Sequence, residues 1–213
     1  WVKKQSQLTD DIETFSQYKT KILPCNLQDK DTNVLSLCYQ SKVGLPNKAI
    51  WGDSHAEHLF PGIINHDKHN NWVLIGQSAC PPIMNVKAHW RRGQDKCVKA
   101  NNIALNALLS TKSIDTVLLA SLGSFYISDI GFAADHKGKY EPSGFILENI
   151  KHHTKNLSKA EIFAQGLDLT INKLEEAGKK IILLMDVPEL PFMPNGCILR
   201  PMGYKNACLL TRK

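Results

Sequence analysis

Four short apolar runs constrain this chain more than anything else in it: Ala49-Ile50-Trp51, Trp72-Val73-Leu74-Ile75, Thr116-Val117-Leu118-Leu119-Ala120 and Lys180-Ile181-Ile182-Leu183-Leu184-Met185. They are too short for buried helices and rich in strand-forming residues, so they read as buried strands. Helical patterns lie between them. Ala56, Leu59 and Ile63 recur at helical spacing up to about His66-Asp67, and Val98, Ile103, Leu105, Leu108 and Leu109 do so within residues 94–109. Ser158-Lys159-Ala160-Glu161 is a capping box that opens a third helix. Its inner stripe is Ile162, Phe163, Leu167, Ile171 and Leu174, and Gly178 stops it. Strand and helix alternate through the whole series, which predicts an α/β fold with a parallel sheet covered on both faces.

In such sheets the working residues gather at the carboxyl ends of the strands. Three strand ends here are polar and carry glycine: Gly52-Asp53-Ser54, Gly76-Gln77-Ser78 and Gly123-Ser124. The first is the most informative, because an apolar strand breaks at Gly52 and a helix starts at once. A serine at that break sits over the free N–H groups of a helix N-terminus, where developing negative charge is stabilised. Ser54 is therefore a candidate nucleophile. It is equally a candidate N-cap, since Ser and Asp are favoured there.

The 213 residues suffice for one sizeable domain, and 43% hydrophobic with 22% charged residues is ordinary for a globular chain. No uninterrupted apolar stretch approaches the length of a membrane span. The chain starts at Trp1 with no basic-then-apolar leader, so it reads as a piece of a longer protein. The net charge of +6 is spread over small clusters such as Lys3-Lys4, Arg91-Arg92 and Lys179-Lys180, without the interleaved aromatics of a single-stranded nucleic-acid surface. No nucleic-acid partner is expected; a mild attraction to anionic glycans or headgroups is. Six cysteines fall into three local pairs, Cys25 with Cys38, Cys80 with Cys97 and Cys197 with Cys208, none with zinc or redox spacing. They read as three sequential disulfides, each contributing about 3 kcal/mol, in an oxidising compartment, with six buried free thiols in a cytosolic protein as the alternative.

The remaining segments carry weaker signals. Residues 1–20 read as a short helix or linker, and residues 21–47, with Pro24, Gly44 and Pro46, as an ordered loop. Residues 131–157 are polar and rich in Gly, His and Lys, which suggests a surface excursion able to act as a lid. His55 and His58 stand at i and i+3 near Asp53, yet no metal site is expected: His55 reads as a neighbour of the serine and His58 as surface. His152-His153 and Asp135-His136 read as solvated loop, Asp186 as a turn residue and Trp51 as core.

Gly52-Asp53-Ser54-His55-Ala56 after an apolar strand resembles the first block of the SGNH (GDSL-like) hydrolases. The cysteine pair ahead of it, Cys80-Pro81-Pro82, and the tail Pro188-Glu189-Leu190-Pro191 through Cys197, Arg200-Pro201 and Cys208 resemble one branch. That branch comprises the periplasmic SGNH domains fused to acyltransferase-3 membrane proteins, which O-acetylate bacterial surface polysaccharides such as lipopolysaccharide O-antigen. The likeness runs from about Pro24 to the end of the chain. It implies a three-layer, flavodoxin-like α/β/α sandwich, with residues 1–47 as a linker and disulfide-bearing extension and 48–213 as an SGNH domain incomplete at its C-terminus. It implies Ser54 as the acyl-carrying nucleophile, with the N–H groups of Ser54 and Gly76 (or Ser78) holding the oxyanion. Asp53, His55, Gly123 and Ser124 would lie near that site. No cofactor is implied. The partners would be a polysaccharide acceptor and an acyl donor delivered by the fused membrane domain, on the periplasmic side of the inner membrane.

Two departures stand out. Phe125 occupies the place of the asparagine that faces the oxyanion in the family's hydrolases. The family's Asp-x-x-His pair is also absent after the fourth strand, and no histidine follows His153. Without an imidazole, a serine hydroxyl is a poor nucleophile. The expectation is that this pair lies beyond Lys213. An esterase using water as acceptor and an inactive glycan-binding module are the alternatives.

Overall fold

The four apolar runs do form strands, side by side and parallel. The computed structural model describes residues 22–27, 29–128, 144–150 and 157–185. Along the chain these hold β1 (Leu23–Pro24), a 3₁₀ turn (Lys30–Val34), β2 (Leu37–Gln40), β3 (Lys48–Gly52), α1 (Ser54–His66), β4 (Trp72–Gly76) and β5 (Val86–Trp90). There follow α2 (Cys97–Ser110), β6 (Thr116–Ala120), α3 (Gly123–Ile127), β7 (Phe145–Asn149), α4 (Lys159–Glu176) and β8 (Lys180–Leu183). The main sheet has the order β1-β2-β4-β3-β6-β8. β4, β3, β6 and β8 are parallel, while at one side β2 runs antiparallel to β4 and β1 antiparallel to β2.

Because side chains alternate across a strand, each strand feeds two cores. Ile50, Leu74 and Leu118 meet Ala56 and Phe60 of α1 on one face. Ala49, Trp51, Val73, Ile75, Val117 and Leu119 meet α2 and Leu174 of α4 on the other. This is the expected three-layer α/β/α sandwich. From β3 the chain crosses first to β4 and then back past β3 to β6, so the direction of winding reverses at β3. The carboxyl end of β3 is thus the topological switch point, where open α/β sheets open a crevice.

Three expectations need correction. Residues 22–47 are more than a loop: β2 pairs with β4 through Leu37↔Gly76 and Cys38↔Ile75, so the disulfide-bearing segment joins the main sheet. Part of the polar excursion, Phe145–Asn149, is a strand that pairs antiparallel with β5 as a separate ribbon. The fourth run ends as a strand at Leu183 and lies at the sheet's edge among the described residues, with Leu183 52% exposed. The disulfides Cys25–Cys38 and Cys80–Cys97 form as expected; Cys197 and Cys208 lie outside the described residues, as do Asp135, His136, His152, His153 and Asp186.

The ribbon is set firmly on the sandwich. Asp95 accepts hydrogen bonds from Ala88 N in β5 and from Cys97 N and Val98 N at the start of α2 (3.0, 3.2 and 3.3 Å). It therefore caps α2 and ties the ribbon to it. The Ser158–Glu161 capping box is present on α4, and Gly178 takes a positive φ of 74° at its end. The most buried line of α4 is Gly166, Thr170 and Leu174, spaced by four. Gly166 lies under residues 83–86: Met84 N donates to Gly166 O at 3.0 Å. A Cβ on Gly166 would stand 2.8 Å from Val86 Cγ2 and 2.9 Å from Ile83 Cβ. Between ribbon and helix lies a third apolar cluster that includes Ile83, Val86, Phe125, Tyr126 and Phe145.

Candidate active site

β3 ends at Gly52 and α1 begins at Ser54, so Asp53 alone turns strand into helix. Asp53 is 1% exposed, and its carboxylate is fully engaged. One oxygen accepts from His55 N at 2.8 Å, capping α1. The other accepts from Leu122 N at 3.1 Å and from the Tyr126 hydroxyl at 2.6 Å. The capping role open to Ser54 is thus taken by Asp53. Ser54 stands as the first helical residue, partly exposed. Its side chain makes no hydrogen bond among the described residues, which leaves its Oγ uncommitted at the positive end of α1.

The neighbouring strand ends close on this point. Gly52 is in register with Gly76 on one side and with Ala120 on the other. A Cβ on Gly52 would lie 1.7 Å from Ala120 O, and one on Gly76, where φ is 152°, would lie 1.9 Å from Gly52 O. Both positions require glycine, because backbone and not a flexible side chain fills the space. The expected convergence of the three polar strand ends is therefore realised, with Leu122, just before Gly123-Ser124, bonded directly to Asp53.

The Ser78 N–H donates to Ser36 Oγ at 2.9 Å, and Ser36 N donates to the Gln77 side chain at 3.1 Å. Gly123 and Ser124 open α3 rather than simply ending β6. They also line a cavity of about 350 Å³ with Ala120, Phe163, Leu167 and Leu183 at the carboxyl ends of β6 and β8. Phe125 is buried against Trp90, Tyr126 and Phe145 (ring centroids 5.6, 5.7 and 5.7 Å apart), an apolar setting with no donor to offer an oxyanion. The His55 and His58 rings stand 5.8 Å apart. Among the described residues no group of three or more His, Cys, Asp or Glu is placed to hold a metal ion.

Sequence reasoning missed Tyr126. Its bond to Asp53 spans 73 residues and arises only because β6 lies beside β3, so no local pattern announces it.

Among the described residues no helix is long and apolar enough to cross a membrane. A family model described as the SGNH domain fused to AT3 domains matches residues 20–212. No curated protein and no solved structure matches the chain. With the strand–Gly-Asp-Ser–helix unit at the switch point of a parallel sheet, and with that match over nearly its whole length, the chain belongs to the family of SGNH domains fused to AT3 domains, a setting of ester and acyl-transfer chemistry.

Proposed function

We propose that this domain passes an acetyl group, received from a fused AT3 membrane domain, through Ser54 to a sugar hydroxyl. The acceptor is lipopolysaccharide O-antigen or a similar surface polysaccharide, on the periplasmic side of a bacterial inner membrane. The observation that carries this reading is the uncommitted Ser54 Oγ at the start of α1, a helix that Asp53 caps, beside the glycine-tight ends of β3 and β4. The two disulfides fit an oxidising compartment.

In the first half-reaction Ser54 Oγ attacks the donor's acyl carbonyl and gives its proton to a base. The oxyanion of the tetrahedral adduct is held by the N–H groups of Ser54 and Gly76, aided by the α1 dipole. Ser78 is the weaker candidate, since its N–H already donates to Ser36. Collapse breaks the bond to the donor's leaving group, which takes up the proton and departs, leaving an acyl ester on Ser54. In the second half-reaction the sugar hydroxyl loses its proton to the base and attacks that ester; the bond to Ser54 Oγ breaks, and the base returns the proton to Ser54. The imidazole that serves as base comes from outside the described residues.

The test is Ser54→Ala in the full-length protein, with glycan O-acetylation as the readout. Acetylation falls to background in the variant, and the unaltered protein yields an acetylated Ser54 peptide that the variant lacks. Full acetylation in the variant overturns the mechanism. Release of free acetate without transfer by the unaltered protein reassigns it as an esterase.

A further inference from the structure

We propose that Trp90, Arg91 and Arg92 form an acceptor subsite for an acidic sugar unit, one bearing a carboxylate or phosphate; this rests on the glycan acceptor proposed above and names its chemistry. Trp90 closes β5 and is 47% exposed. Its ring is nonetheless fixed: it meets Phe145 edge-on at 5.3 Å and Phe125 at 5.6 Å, and both phenylalanines are buried. A large aromatic held on its inner side and wet on its outer side has already lost its rotational freedom. It then gains by taking the apolar face of a pyranose ring.

The two arginines follow it on a turn whose backbone is pinned. Gly93 N donates to Trp90 O at 2.7 Å and Arg91 N to Gly144 O at 2.8 Å. Both side chains are exposed, and neither has an ion-pair partner among the described residues. The other described cation of the ribbon, Lys87, is paired with Glu148 at 3.8 Å. The nearest acid along the chain, Asp95, is consumed by three backbone N–H groups. Two exposed arginines that directly follow an exposed aromatic residue in the chain suit a ring carrying an anionic group, which a guanidinium can bind bidentately.

The place is also right. Phe125, against which Trp90 packs, belongs to α3, and the next residue, Tyr126, donates to Asp53 immediately before Ser54. A lipid surface is the less suitable occupant. Trp90 is the one exposed large apolar residue of the β5–β7 ribbon, and Ile150 lies beyond the ribbon's opposite end beside Asn85. Insertion into an interface uses a broader apolar face than this.

The experiment uses the chain carrying Ser54→Ala, so that binding is read without turnover. Hexagalacturonate, maltohexaose and phosphatidylglycerol vesicles are titrated by calorimetry and by tryptophan emission; Trp51 and Trp72 are buried. Hexagalacturonate binds, and Trp90→Ala and the pair Arg91→Gln/Arg92→Gln each weaken it about tenfold or more. Maltohexaose binds more weakly and is indifferent to the arginine pair. The arginine variant alters an exposed turn only, so it keeps the test valid if Trp90→Ala fails to fold. Unchanged hexagalacturonate affinity in the arginine variant, absence of hexagalacturonate binding, or Trp90-dependent binding to vesicles alone overturns the subsite. Those results leave the Ser54 acetylation experiment untouched, so the two proposals fail separately.

Discussion

Tyr126→Phe isolates the bond that joins the strand ends at the site. The substitution removes one oxygen and leaves the ring in its place between Phe145 and Phe163, whose centroids lie 5.0 and 6.4 Å away. The lost hydrogen bond is a short one, 2.6 Å, to a carboxylate that is 1% exposed, so water cannot substitute for the hydroxyl. Hydrogen bonds to charged groups contribute about 1.5–3 kcal/mol. Leu122 N still donates to the same carboxylate oxygen and His55 N to the other, which keeps the cost near the middle of that range. The expected loss is about 2 kcal/mol, or roughly 4–8 °C in Tm for a domain of this size. Urea denaturation should show a lower midpoint with an unchanged slope. Pairing the change with Asp53→Asn in a double-mutant cycle should return a coupling of about 1 kcal/mol or more. A loss under about 0.5 kcal/mol, within the range of ordinary surface substitutions, would refute the argument that this bond ties α3 to the start of α1.

Two further outcomes follow from geometry and titration. Gly52→Ala and Gly76→Ala drive a methyl group into backbone oxygen at 1.7 and 1.9 Å, and each should cost about 3 kcal/mol or more in a melting experiment. Gly62→Ala is the control: it has nothing within 4 Å in α1 and should be neutral or stabilising by up to about 1 kcal/mol. Asp67 accepts from the Asn70 side-chain amide at 2.7 Å and from the Trp72 indole at 2.9 Å, which hold its pKa at about 2 against an ordinary 3.8. A carboxyl whose folded pKa is depressed binds fewer protons than in the unfolded chain, so its contribution is full above pH 3.8 and is lost as pH falls toward 2. Asp67→Asn should therefore flatten the dependence of Tm on pH across that window relative to the parent chain.

The centre of the main sheet was legible because β3, β4 and β6 are buried on both faces and read as continuous apolar runs. Ala49-Ile50-Trp51 and Trp72–Ile75 needed no knowledge of their neighbours. The ribbon was hidden for the opposite reason. Val86-Lys87-Ala88-His89-Trp90 is short and half polar, and it becomes a strand only through pairing with Phe145–Asn149, more than fifty residues later. β2 escaped notice because Cys38 and the flanking turn residues read as disulfide loop, although Leu37 and Gln40 are buried in the sheet. At the site, Gly52, Asp53 and Ser54 announced a strand–helix break and left two roles open for the serine. What separates those roles is the Asp53 carboxylate, which reaches His55 N locally and Leu122 and Tyr126 across the sheet. The local part can be guessed from capping preference; the distant part depends on strand order.

Gly166 gives the ribbon its height. At most helix contacts a side chain keeps two backbones apart, and its size can drift without moving either one far. Here Met84 rests its N–H on the helix's own carbonyl, and Ile83 and Val86 fill the space a methyl would need. On the α4 side, therefore, no side chain sets the clearance between β5 and α4: the helix meets Ile83, Met84 and Val86 with bare backbone at Gly166. The seat of the β5–β7 ribbon, whose Phe145 packs on the Tyr126 that bonds Asp53, is thus dimensioned at a helix position more than a hundred residues along the chain from Ser54.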